Sequence, residues 1–93
     1  MEIALEEARL AAARGEVPVG AVVISPQGAV LARAGNQMRA QKDPSAHAEV
    51  LAIRSACKAL GSGRLSGCDL YVSLEPCPMC AGLIAAARID RLY

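Results

Sequence analysis

The chain has 93 residues, enough for one small domain and no more, and 54% of them are apolar. There is no Phe or Trp and there are only two Tyr, so Ala, Val, Leu and Ile must pack the core, and a domain this small gains from a bound metal or a partner chain. Ten Lys and Arg against nine Asp and Glu give a net charge of +1, so bulk charge does not point to nucleic acid, although a local patch matters more than the sum.

No segment reads as a signal peptide or a membrane span, and a cytoplasmic location is expected. Four cysteines in that compartment point to metal binding or buried thiols rather than disulfides.

Met1 to Arg14 reads as a helix with Met1, Ala4, Leu5, Ala8 and Ala12 on one face, stopped by Gly15. Val17 to Ser25 reads as a buried strand, Pro26-Gln27-Gly28 as a turn, and Ala29 to Ala34 as a second strand pairing back as a hairpin. Gly35 to Asp43 reads as a polar loop. Arg33, Arg39 and Lys42 lie around it and are expected to be ordinary solvated basic residues.

Asp43-Pro44-Ser45 has helix-start chemistry, and a helix is predicted from about Ala46 to Leu60, ended by Gly61-Ser62-Gly63. Its apolar stripe is Ala46, Val50, Ile53, Cys57 and Leu60. Cys68 to Leu74 alternates as a strand, Pro76 and Pro78 open a third helix running through Ala87, and Arg88 to Tyr93 begins a further strand. The order predicts a three-layer α/β/α sandwich with a mixed sheet.

Cys77-Pro78-Met79-Cys80 is a C-x-x-C pair at a predicted helix start, where backbone N–H groups and the helix dipole favour thiolates. Alone it fits a redox pair, half a zinc site or chance. His47 is the only histidine, and a lone histidine is more often a surface or core residue than a ligand. Here it opens the preceding helix beside Glu49, and two helix starts on one face of an open sheet can converge at the strand ends.

One His and two Cys make three ligands, whereas a closed structural zinc site takes four. Cys57 falls on its helix's apolar stripe and Cys68 lies at the far end of its strand, so both are expected to be small buried or half-buried residues. The fourth position then stays open to water, whose pKa zinc lowers to about 7. Glu49 is the expected proton carrier.

His47-Ala48-Glu49 with Pro76-Cys77-Pro78-Met79-Cys80 resembles the cytidine deaminase superfamily; H-x-E…P-C-x-x-C is the known signature of zinc base deaminases. Glu16-Val17-Pro18-Val19-Gly20-Ala21-Val22-Val23, Asp43-Pro44-Ser45 and Leu70-Tyr71-Val72-Ser73-Leu74-Glu75 extend the likeness over the whole chain, toward the bacterial tRNA-specific adenosine deaminases. The resemblance implies the cytidine deaminase-like fold, a Zn2+ cofactor, and hydrolytic conversion of adenosine to inosine at the wobble position of a tRNA anticodon.

It further implies His47, Cys77 and Cys80 as metal ligands and Glu49 as the catalytic residue. Asn36 would hydrogen-bond the purine, the Ala48 backbone N–H would orient it, and Val17, Pro18 and Val19 would line the pocket. Unaided, Asn36 is only a loop residue after Gly35. A homodimer is implied, whose partner helps build the substrate site.

Relatives of this kind continue past Tyr93 with the rest of the strand, a helix, a further strand and a C-terminal helix. Residues 1–93 are therefore expected to be a deaminase domain incomplete at its C-terminus. Two other readings stand beside this one: a guanine or other small nucleobase deaminase acting on a free purine, and a catalytically silent zinc-binding fragment.

Overall fold

The computed structural model describes residues 1–93, in the order α1 (Glu2–Ala13), β1 (Gly20–Ile24), β2 (Val30–Gly35), α2 (Met38–Gln41), α3 (Ala48–Leu60), β3 (Asp69–Val72), α4 (Pro78–Ala86) and β4 (Arg91–Leu92). The strands form one mixed sheet in the order β2-β1-β3-β4. β1 pairs antiparallel with β2 and β3, and β3 pairs parallel with β4 through the α4 crossover that parallel pairing requires. This is the expected three-layer sandwich.

Alternation along β1 separates the two faces. Ala21 and Val23 join Ala52, Ile53 and Ile84 in the main core, so α3 and α4 cover that side. Gly20 faces α1 on the other side. The α1 stripe is Ala4, Ala8 and Ala11, all buried, whereas Met1 and Leu5 are exposed and Ala12 lies outside it. The reason is distance: α1 lies so close that only methyl groups fit beneath it.

Gly20 and Gly35, paired across β1 and β2, make this approach possible. A Cβ on Gly20 would collide with the Ala4 carbonyl oxygen and sit 2.6 Å from the Ala8 nitrogen; one on Gly35 would sit 2.7 Å from the Glu7 carbonyl oxygen. Backbone cannot yield as a flexible side chain can, so Gly20→Ala is expected to cost about 3 kcal/mol or more in urea unfolding. A cost below about 0.5 kcal/mol would mean that α1 is free to move outward. Arg33 adds a tie at the rim, 2.7 Å from Glu7 and 3.0 Å from Glu6, and is thus a link from β2 to α1 rather than a free loop cation.

Several boundaries differ from expectation, and three of them have a plain local cause. β1 starts at Gly20 because Pro18 has no N–H and the Val19 N–H turns back to the Val17 carbonyl at 2.8 Å. The loop after β2 contains the one-turn α2, ended by Lys42 in the left-handed region at φ 51°. α3 starts at Ala48, because Asp43 spends its side chain on the Ser45 N–H and hydroxyl at 2.9 and 2.7 Å and so makes a turn, not a cap. Its far end is where expected, at Gly61 with φ 65°, although Leu60 is exposed.

Candidate active site and metal centre

His47 is the N-cap of α3 and Cys77 the N-cap of α4, both with extended backbone and neither spending its side chain on a capping bond. Pro78 takes the first position of α4, where its missing N–H leaves no bond unmade. Cys80 follows one turn later and is fully buried. The two helix starts therefore meet.

His47 Nδ1 lies 3.5 Å from the Cys80 Sγ and 3.7 Å from the Cys77 Sγ. The ligand atoms of all three residues lie within 4.8 Å of one another. Tetrahedral zinc with bonds of about 2.0–2.1 Å to nitrogen and about 2.3 Å to sulfur has a nitrogen-to-sulfur edge of about 3.6 Å. The donor set thus fits zinc in type and spacing, and Nδ1 is the ring nitrogen turned toward the thiols.

The two thiols differ electrostatically. Backbone N–H donation from Cys80 holds the Cys77 thiol below its ordinary value, against the effect of burial. Burial, and then the Glu49 carboxylate, push the Cys80 thiol up to about 12. A cation at this corner offsets both the burial and the neighbouring negative charge. Cys68, raised chiefly by burial, and Cys57 lie outside the donor set.

A cleft of about 180 Å³ opens beside the donors. Val17, Val19, Asn36, His47, Glu49 and Cys77 line it, as do Met38, Leu74 and Glu75, to which sequence reasoning assigned no place in the site. Met38 could not be foreseen because α2 was unseen. Leu74 and Glu75 carried one available signal, their place just before the Cys77 motif at the end of β3. A hollow of about 340 Å³ adjoins the cleft through Leu74 and Glu75. Glu49 is almost fully buried.

Two expected substrate contacts are placed otherwise. Pro18 is exposed and absent from the cleft lining. The Ala48 N–H donates to Asn36 Oδ1 at 2.7 Å, so it is not free to meet a base. Buried Asn36 is thereby a cap for α3 supplied from another element, which is why α3 needs none from His47.

Glu16 was likewise not foreseen. It is 6% exposed, and its two carboxylate oxygens accept the Arg39 and Ala40 N–H groups at 3.0 and 2.9 Å. The Arg39 N–H bond chiefly lowers its pKa; burial opposes this, and the Ala40 N–H and the Arg39 and Arg14 charges assist. A depressed folded pKa contributes stability that is full above the unfolded value of about 4.3 and is lost as pH falls through the lower folded value. Urea midpoints measured between pH 6 and 3 are expected to fall more for the wild type than for Glu16→Gln, and parallel curves would remove this contribution.

The sequence profile described as "Cytidine and deoxycytidylate deaminase zinc-binding region" matches residues 1–93. The chain belongs to this family. Zinc is its metal, in keeping with the donor set.

A "tRNA-specific adenosine deaminase" of Agrobacterium fabrum is 59% identical over 93 residues, covering 100% of this chain and 60% of that protein. One of Bacillus subtilis is 49% identical over 92 residues, covering 99% and 56%. The chain thus spans somewhat more than half the length of these relatives.

Among solved structures, one from work on A-to-I editing by tRNA:A34 deaminases at the wobble position of transfer RNA superposes with a TM-score of 0.97 at 59% identity, covering 100% of this chain and 71% of that one. The guanine deaminase of Bacillus subtilis superposes with a TM-score of 0.94 at 44% identity, covering 98% and 58%. The deaminase fold of the present chain is thus that of both enzymes, and no helix is long and apolar enough to cross a membrane.

Proposed function

We propose that this chain carries the active site of a hydrolytic deaminase that converts adenosine to inosine at the wobble position of a tRNA anticodon. The observation behind the reading is the approach of both thiols to His47 Nδ1, at 3.5 and 3.7 Å, with Glu49 in the same cleft. The relatives named for tRNA adenosine deamination supply the substrate class.

In this reading residues 1–93 act as one deaminase domain, with His47, Cys77 and Cys80 holding zinc. The metal supplies the Lewis acidity that makes water a nucleophile near neutral pH. Glu49 carries the protons. Its carboxylate takes one from the attacking water and gives it to the purine nitrogen beside C6, then takes the second from the new C6 hydroxyl and passes it to the amine, which leaves as ammonia. Water and adenosine give inosine and ammonia.

Asn36 orients the base. Because its Oδ1 holds the Ala48 N–H, its Nδ2 is left to donate, and the base atom it meets is an acceptor. Ala48 thus acts through Asn36. Val17 and Val19 supply apolar walls.

The partner is the tRNA anticodon stem-loop, read as an exposed, flipped nucleotide in the cytoplasm, and the working form is a homodimer. Likeness to a guanine deaminase at 44% identity supports free guanine as the second substrate reading. Zinc-loaded protein assayed with an adenosine-34 stem-loop and, separately, with guanine tests both. Inosine formation is expected. Xanthine without inosine would transfer the reading to guanine, and bound zinc with neither product would leave a silent zinc-binding module.

A further inference from the structure

We propose that Glu16 is a positioning residue for the base-binding cleft, acting through the segment Asn36–Ala40, with Arg14 as a second, weaker tie. The inference rests on reading that cleft as the base pocket. Neither residue lines the cleft, so each acts through what it holds.

The segment has little order of its own. α2 is a single turn of four residues, and its N-cap Gln37 makes no side-chain capping bond. A helix this short does not persist unaided. Its N–H groups are met instead by the Glu16 carboxylate, one oxygen to Arg39 and the other to Ala40. Arg14 Nη2 donates to the Asn36 carbonyl at 3.2 Å, and the Asn36 N–H donates to the Val19 carbonyl at 3.1 Å.

Glu16 is itself fixed, since its N–H donates to the Ala11 carbonyl at 2.9 Å. The end of α1 is held there by the close packing over Gly20 and Gly35. A line of contacts thus runs from the glycine pair through α1 and Glu16 to α2, and from α2 to the cleft residues Met38 and Asn36.

The chemistry at Glu16 is specific. Two N–H donors point at two oxygens, so a carboxylate satisfies both. A carboxamide meets one of them with its own N–H groups, and two donors face each other. Glu16→Gln therefore keeps the volume and breaks one tie. The metal donors sit at the starts of α3 and α4, and the Glu16 carboxylate touches none of them.

The test uses the full zinc-loaded chain and an anticodon stem-loop RNA with adenosine at the wobble position. In Glu16→Gln, amide exchange at Arg39, Ala40 and, through Asn36, Ala48 is expected to quicken by about tenfold or more. KM is expected to rise about tenfold with kcat within about threefold, since contacts that hold the base equally well before and during reaction contribute uniform binding. Zinc content stays at the wild-type level. Glu16→Asp retains both acceptor oxygens and recovers part of the KM.

Unchanged exchange at Ala48 would overturn the proposal. So would kcat, zinc content and folded fraction all falling together, which is the signature of a purely structural acid. If Glu16→Gln does not fold, Arg14→Ala, at an exposed residue, decides: a smaller shift in Ala48 exchange is expected, and none would refute the coupling. If the wild type deaminates neither adenosine nor guanine, the functional reading fails, while the exchange experiment still decides whether Glu16 holds the segment.

Discussion

Glu49→Ala is expected to lower kcat by about 10²–10⁴-fold, the usual contribution of a positioned general acid–base group, with zinc content unchanged. The carboxylate is almost fully buried in the cleft beside the metal donors, on the helix that His47 caps. It is not one of the three clustered donor residues, so its loss removes proton transfer and spares the metal. Removing it also removes a negative neighbour that helps raise the Cys80 thiol, so metal binding gains no new obstacle from that thiol. Inosine release from a stem-loop, with zinc measured on the same sample, checks the prediction. Equal turnover in the variant and the wild type would remove Glu49 from the mechanism.

Cys80→Ala is expected to abolish zinc binding and the stability that comes with it. Cys80 is fully buried and 3.5 Å from His47 Nδ1, so an alanine leaves two donors and an empty corner in the core. Binding to the folded state alone adds about 4 kcal/mol when free zinc exceeds its Kd a thousandfold. At about 4–8 °C per kcal/mol for a domain of this size, chelation is expected to lower the wild-type midpoint by about 15 °C or more. The Cys80→Ala midpoint is expected to be insensitive to zinc and chelator alike. A variant that still titrates with one zinc per chain would show that the metal is held elsewhere.

Much of the fold was legible because periodicity reports which face is buried. Leu70 and Val72 alternate into the core as β3 requires, and Gly61 ends α3 where predicted. Patterns failed where a distant residue settles the local structure. α2 was invisible because four residues carry no period and its cap, Glu16, lies more than twenty positions earlier. The start of α3 was misplaced because its capping side chain belongs to Asn36, not to Asp43. The α1 stripe was misassigned because large side chains such as Leu5 are excluded by a helix-to-sheet approach that depends on a glycine pair.

By itself the sequence determined the chemical inventory: one imidazole, two thiols one helical turn apart, and a carboxylate two residues past the histidine, each at a helix start. Side-chain chemistry is local and survives any arrangement of the chain. The tertiary structure alone decided that Nδ1 faces the thiols, that the Ala48 N–H is committed to Asn36, and that Glu16 holds the segment beside the cleft. These depend on angles and distances between elements far apart in the chain, which the sheet and the glycine-permitted approach of α1 set.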